Sequence, residues 1–242
     1  MTRHNSDRIN DHFAAGTRDL TPTSVCHAAR VLYVPVSRDP EISWLCASVL
    51  SDSERQRADR LASEHDKAQF KQRRAFRRFC GATALGSSRP LSQIGFEQTE
   101  NGRPYLPDLP GVWFSFSACR FGLLGAWSST HGIGVDLEDQ TRELEAIELA
   151  RGYFSAAESI AVEEAASPDR LRTFFQFWSL KEAALKSIGE GLPFGLDAFE
   201  FGLLPRPHVV DAPAEHGGPA QFDAHTIDGT GGCAALVIRG PT

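Results

Sequence analysis

From Ala29 to Val36 the chain is rich in apolar and β-branched residues and is bounded by proline and Ser37-Arg38-Asp39, a pattern that predicts a strand. Ile42 to Leu50 predicts a short helix. Leu50-Ser51-Asp52-Ser53-Glu54 reads as the start of the next, which Arg55 to Leu61 continues with charges at helical spacing. A longer helix is expected from His65 to about Leu85, because Phe76, Phe79, Cys80 and Thr83 recur at intervals of three and four and Gly86 ends the run. Ile94 to Thr99 alternates, and the turn dipeptide Asn101-Gly102 ahead of Arg103-Pro104-Tyr105-Leu106 predicts a hairpin arm. Val112 to Phe116 and Phe121 to Ser128 predict a second hairpin, broken at Ser117-Ala118-Cys119.

A further strand is expected over Gly132 to Leu137, followed by helices over Arg142 to Tyr153, Ser155 to Ala166 and Ser167 to Ile188. Ser167 suits an N-cap, Pro168 the first turn and Gly189 the C-terminal stop. Phe194 to Phe201 and Cys233 to Ile238 read as strands, and the Pro-, Gly- and His-rich stretch from Leu204 to Ala220 as a loop. Strand, helices and strands thus occur twice. The fold class expected is α+β, with two pseudo-symmetric halves, each a small antiparallel sheet with packed helices, and an active-site cleft between them. The expected boundaries are a disordered N-terminal extension over 1–28, an N-terminal half over 29–130 and a C-terminal half over 131–242.

Composition narrows the class. The 242 residues are 41% hydrophobic and 23% charged, ordinary soluble material, and no apolar run approaches the roughly 20 residues needed to cross a bilayer. Met1 to Thr23 lacks the apolar centre of a secretory signal. The five cysteines are scattered and form no Cys-x-x-Cys, so neither a disulfide frame nor a zinc site is expected, and a reducing cytoplasm fits. A net charge of -6 argues against a nucleic-acid partner, although Lys71, Arg73, Arg74, Arg77 and Arg78 fall together with no acid between them. That run reads either as a solvated helix face or as a dock for phosphates or an acidic protein.

On the strand from Gly132, Asp136 and Glu138 lie two residues apart and project from one face, while Val135 and Leu137 point into the core. Two carboxylates on one face suit a hard divalent cation, though an Asp-x-Glu alone also describes a strand end leaving the core. In the helix from Ser167, Trp178, Glu182 and Lys186 share a face at i, i+4 and i+8. Taken alone, Glu182 and Lys186 make an ordinary exposed pair worth about 0.3 to 0.5 kcal/mol.

Taken together these segments resemble the 4′-phosphopantetheinyl transferases, in particular the longer, monomeric surfactin-synthesis type. Gly132-Ile133-Gly134-Val135-Asp136-Leu137-Glu138 resembles the first signature of that family, and Phe177-Trp178-Ser179-Leu180-Lys181-Glu182-Ala183-Ala184-Leu185-Lys186 resembles the second. Gly152-Tyr153-Phe154-Ser155-Ala156-Ala157-Glu158 lies between them and is similar to the intervening family segment, while Asn101-Gly102-Arg103-Pro104-Tyr105 resembles a Gly-Lys-Pro turn with arginine for lysine. The stretch around Arg74 to Arg77 is similar to an arginine-bearing family helix. One segment departs: Phe114-Ser115-Phe116-Ser117-Ala118-Cys119 stands where the family has Phe-Asn-(Leu/Ile)-Ser-His-Ser, so the histidine that touches the 3′-phosphate of coenzyme A is Ala118. Arg120 is a candidate substitute.

The resemblance implies a holo-[acyl-carrier-protein] synthase type of enzyme, which moves the phosphopantetheine arm of coenzyme A to a serine of an acyl or peptidyl carrier protein and releases adenosine 3′,5′-bisphosphate. It implies Mg²⁺, with Mn²⁺ as the alternative hard cation, held by Asp136, Glu138 and Glu182. Glu182 would take the serine proton and Lys186 would pair with the α-phosphate at the leaving group, so these two are the catalytic candidates. Arg57, Arg74, Arg103, Ser117, Lys186 and, as a weaker choice, Lys181 are the candidates for coenzyme A. The partners expected are a carrier protein and coenzyme A, with no nucleic acid, no membrane and a monomeric chain. Two other readings stay open: a non-catalytic relative that binds carrier protein or coenzyme A, motivated by Ala118, and a metal-dependent phosphohydrolase or nuclease using the same carboxylates.

Overall fold

The computed structural model describes residues 2–191 and 194–240. In chain order the elements are α1 (Thr2–Gly16), β1 (Arg18–Asp19), β2 (Arg30–Pro35), α2 (Pro40–Ser48), α3 (Asp52–Asp59), α4 (Glu64–Leu85), β3 (Glu97–Gln98), β4 (Pro104–Tyr105), β5 (Trp113–Ala118) and β6 (Gly122–Ser128). They continue with β7 (Gly132–Glu138), α5 (Ala146–Tyr153), α6 (Ala156–Glu164), α7 (Ser167–Ile188), β8 (Glu200–Gly202), β9 (His208–Asp211), β10 (Phe222–Thr226) and β11 (Cys233–Arg239).

Local chemistry sets several ends. Ser51 opens α3 with a capping box: its hydroxyl accepts from the Glu54 N–H, and the Glu54 carboxylate accepts from the Ser51 N–H at 3.0 Å. Ser155 and Glu158 open α6 in the same way. Gly86 (φ +59°) closes α4 and Gly189 (φ +81°) closes α7 in the left-handed conformation, which costs glycine no Cβ clash. At the other end of α7 the cap is Ala166, without a side-chain bond, and Ser167 is already helical, so the N-cap expected at Ser167 lies one residue earlier.

The two larger sheets are antiparallel, with strand orders β1-β2-β6-β5 and β10-β11-β7, and β3-β4 and β8-β9 form two-stranded sheets. β2 pairs with β6 and β7 with β11, and β6 and β11 each pair in turn with the strand before them, β5 and β10; β1 adds to the free edge of β2. Alternation sorts each strand's side chains between two layers. Val31, Tyr33, Leu124 and Ala126 meet Ile133, Val135, Leu236 and Ile238 between the sheets. Leu32 and Val34 pack outward on Phe13, Phe76 and Phe79, and Ala235 and Val237 pack outward on Phe174, Phe177 and Leu180. The order is helices, sheet, sheet, helices.

Three sequence expectations are corrected. The 1–28 extension is not disordered over its described residues: α1 packs Ile9 and Phe13 into the core, with the Phe13 ring 5.7 Å from Phe76 and 5.5 Å from Phe79. Two apolar residues at i and i+4 anchor an otherwise polar helix, a signal that average composition hides. Within the loop expected from Leu204 to Ala220, β9 pairs with β8, with Phe201 opposite Val209; a cross-strand partner outweighs the Pro- and Gly-rich context. The strand expected from Phe194 to Phe201 is instead a 3-10 turn at Leu196–Ala198 followed by the short β8.

Candidate active site

The site is built where α7 crosses β7. The odd-numbered Ile133, Val135 and Leu137 lie between the sheets, so Gly132, Gly134, Asp136 and Glu138 face the other way. A Cβ on Gly134 would stand 1.8 Å from the Ala183 carbonyl oxygen, and one on Gly132 would stand 2.4 Å from that of Ser187. The two glycines therefore let the backbone of α7 rest directly on the strand. Glu182 and Lys186, each one residue before a contacted carbonyl, are carried to the carboxylates of β7.

Lys186 Nζ donates to Asp136 Oδ1 at 2.7 Å and to the Val135 carbonyl at 3.2 Å, and stands 3.9 Å from Glu182 Oε2. Ser117 on β5 donates its hydroxyl to the same Oδ1 at 2.8 Å. Asp136 Oδ2 is buried and has no hydrogen-bond partner among the described residues. Burial, then the charge of Asp136, pushes the Glu138 carboxyl up to about 7, although Arg142, at 3.2 Å, and Lys186 pull the other way. Burial also raises Glu182; Lys186 draws it part-way back and Asp136 adds to the rise. Asp136 and Glu182 thus share the ammonium of Lys186, Glu138 pairs with Arg142, and a buried carboxylate oxygen is left without a partner among the described residues. That donor set, all hard oxygen, fits a divalent cation. Among the described residues, no three His, Cys, Asp or Glu side chains are already arranged as a ligand set.

The cleft beside these groups has a volume of about 200 Å³ and is lined by Glu182 and Lys186 from α7, Phe114 and Ser115 from β5, Arg103 from the β3–β4 turn and Arg77 from α4. Its walls come from both sets of elements and meet where Ser115 Oγ accepts from the Val135 N–H at 3.0 Å. Arg103 lies with its guanidinium 4.0 Å from the centre of the Trp113 ring, which holds it at the rim.

Asp136, Glu138, Glu182, Lys186 and Arg103 therefore come together, and the other sequence candidates separate from them. Lys181 is fully buried, donating to the Leu196 carbonyl at 3.0 Å and the Phe199 carbonyl at 2.5 Å and pairing with the equally buried Glu158 at 2.7 Å. It belongs to the core of the C-terminal set and does not reach the cleft. The reason is helical: Lys181 lies on the stripe of Phe174, Phe177, Ala184, Leu185 and Ile188, about 100° from its neighbour Glu182. Ser117 spends its hydroxyl on Asp136 and positions that carboxylate. Arg57 and Arg74 gather around the Phe70 ring, 5.7 and 5.1 Å from its centre, with Arg74 3.7 Å from Glu54; neither lines the cleft. Arg120, the substitute expected for the missing histidine, is held by Asp139 and by Thr141 at 2.7 Å. Arg77 is the residue that the sequence candidates missed; the signal was its place in the basic run, one turn after Arg73.

A family model described as the 4′-phosphopantetheinyl transferase superfamily matches residues 132–229, the stretch from β7 into the segment before β11. A putative 4′-phosphopantetheinyl transferase of Synechocystis is 31% identical over 172 residues, 65% of this chain and 68% of that protein. The chain belongs to the 4′-phosphopantetheinyl transferase superfamily. HetI, a 4′-phosphopantetheinyl transferase of Nostoc, is 30% identical over 66% of this chain and 67% of its own length. The transferase Sfp of Bacillus subtilis is 30% identical over 138 residues, 57% of this chain, and the match spans 60% of the Sfp length. Within this transferase family the α+β architecture of small antiparallel sheets and packed helices is expected, and both signature segments fall on β7 and α7. No helix among the described residues is long and apolar enough to cross a membrane.

Proposed function

We propose that this chain transfers the 4′-phosphopantetheine arm of coenzyme A to a serine hydroxyl of a carrier protein. The observation that carries the reading is the buried Oδ2 of Asp136, without a hydrogen-bond partner among the described residues, behind the Asp136–Lys186 pair whose lysine lines a cleft with arginines on its walls. Asp136, Glu138 and Glu182 would hold the divalent cation, Mg²⁺ in this reading; when bound, it would neutralise charge on the diphosphate. Arg103 meets the same anion from the rim. The serine oxygen attacks the phosphorus that bears the pantetheine arm, and the anhydride P–O bond breaks. Adenosine 3′,5′-bisphosphate leaves with the electron pair, and Glu182 accepts the serine proton. Lys186, fixed by Asp136 and the Val135 carbonyl, places an ammonium where charge grows on the leaving phosphate.

The halves 29–130 and 131–242 each supply a wall of the cleft, and because one chain supplies both, the working unit proposed is a monomer in the cytoplasm. Incubation with an apo carrier protein, coenzyme A and Mg²⁺, read by intact mass, tests the reaction. Addition of one phosphopantetheine is expected. Several unrelated carriers left unmodified, with coenzyme A still bound, would select the non-catalytic binder instead.

A further inference from the structure

The turn between β3 and β4 fixes the backbone of Arg103: its N–H donates to the Thr99 hydroxyl at 3.1 Å, and its carbonyl accepts from the Thr99 N–H at 3.0 Å. The side chain is held differently. It makes no ion pair and no hydrogen bond among the described residues, and its guanidinium carbon lies 4.0 Å from the centre of the Trp113 ring. The end of α7 sits against both side chains, since a Cβ on Gly189 would stand 3.5 Å from Arg103 Cδ and 3.6 Å from the far edge of the Trp113 indole. Packing alone places this guanidinium.

The ring is itself fixed from the C-terminal half. Trp113 opens β5 and packs on the apolar layer between the two larger sheets, and Arg239, at the end of β11, brings a second guanidinium to 5.8 Å from the ring centre. Arg239 is in turn tied down by its donation to His216 Nδ1 at 3.1 Å. An indole held in this way is a stable face for a guanidinium that has no other partner. A flat guanidinium can lie on that face and still turn its N–H groups edgewise toward an anion, whereas a lysine ammonium has no plane to lay against the ring. Trp113 itself does not line the catalytic cleft.

We propose that Trp113 is a positioning residue for the transfer: the face of its ring sets where the Arg103 guanidinium stands, and it does so for arginine and not for lysine. This rests on the transferase reading, in which Arg103 meets the diphosphate, and deepens it by naming what aims that arginine. Trp113 acts through Arg103 and touches no reacting atom.

The test measures coenzyme A binding by calorimetry and steady-state transfer on the full chain, for the parent, Trp113→Leu, Trp113→Phe, Arg103→Lys, Arg103→Gln and Trp113→Leu/Arg103→Gln, with urea melts to confirm that each is folded. Trp113→Leu should weaken coenzyme A about threefold to tenfold and raise KM by the same factor, with kcat within about twofold of the parent. Trp113→Phe should recover part of the loss, and Arg103→Lys should lose about as much as Trp113→Leu. In the Arg103→Gln background, Trp113→Leu should change the affinity by less than about twofold. A folded Trp113→Leu that binds coenzyme A as the parent does overturns the proposal and leaves the transferase reading intact. So does a loss that is as large without Arg103 as with it. If Trp113→Leu does not fold, Trp113→Phe takes its place in the same cycle and is judged in the same way. If the parent does not bind coenzyme A, the transferase reading fails, and the Arg103 Nε–H resonance, identified by its loss in Arg103→Gln, decides the positioning. A ring-current shift of that resonance that is lost in Trp113→Leu, or reduced in Trp113→Phe, upholds it; a resonance that neither variant moves overturns it.

Discussion

Replacing Lys181 with methionine separates a structural lysine from a ligand-binding one. The substitution keeps most of the volume of the side chain and removes the ammonium from a site where both members of the ion pair have no solvent exposure. Glu158 would then keep only its two backbone donors, the N–H groups of Phe201 and Ser155, each at 2.8 Å. The carbonyls of Leu196 and Phe199 would lose their shared donor. Breaking a buried pair from one side costs about 3 to 5 kcal/mol, because the remaining charge has no partner. At a urea slope of about 2 kcal/mol/M this lowers the unfolding midpoint by roughly 2 M. Glu158→Gln/Lys181→Met removes the stranded charge and should recover part of the loss. Below the transition, coenzyme A should bind Lys181→Met within about twofold of the parent, since Lys181 does not line the cleft. pH supplies a second signature. Burial holds the Lys181 ammonium below its ordinary 10.5, with Glu158 drawing it part-way back, so between the folded value and 10.5 the unfolded chain binds more protons and stability rises with pH. Lys181→Met should lack that component. A variant as stable as the parent that no longer binds coenzyme A would refute the reasoning.

Gly134→Ala should displace α7 by roughly 1 Å or more and cost at least about 3 kcal/mol along with most of the activity, because the clash at 1.8 Å is with backbone rather than with a side chain that can swing away. Gly152→Ala, in open space near the end of α5, should leave stability unchanged or raise it by up to about 1 kcal/mol, and urea melts of the two variants side by side check both. Glu182→Gln should lower the transfer rate by about 100-fold or more while the fold persists, and a chelator should abolish transfer in the parent until a divalent cation is restored. A fully active Glu182→Gln would remove Glu182 as the proton acceptor. Burial pushes the Glu54 carboxyl up, but Arg78, the Ser51 N–H and Arg74 outweigh it and hold it below its ordinary 4.5. The stability it contributes is therefore full above 4.5 and is lost as pH falls through the folded value, so Glu54→Gln should cost about 1 to 3 kcal/mol at pH 7 and progressively less toward pH 3, as measured by urea melts across that range.

Much of this protein is written locally. The capping box at Ser51 and Glu54, the glycine stops at Gly86 and Gly189, and the alternation along Gly132 to Glu138 involve residues within a few positions of each other, and their elements stand close to where the pattern places them. The same holds for the centre of the site: Asp136 and Glu138 share a strand face and Glu182 and Lys186 share a helix face because of periods of two and 3.6. What the chain could not announce locally depends on partners far away in sequence. Lys181 and Lys186 are both lysines of one helix; the first is taken by Glu158, Leu196 and Phe199, the second by Asp136, and only the packing of α7 between those groups assigns them. Arg74 and Arg77 look alike in the basic run until Glu54 comes within 3.7 Å of the first, while the second makes no ion pair among the described residues and lies over the Phe116 ring. The folding of α1 and of β9 was hidden for the same reason: Phe13 needs Phe76 and Phe79, and Val209 needs Phe201. Local pattern decides which faces exist, since backbone geometry repeats over a few residues. Only tertiary structure decides which charges are neutralised, since that depends on what distant segments bring within a few ångströms.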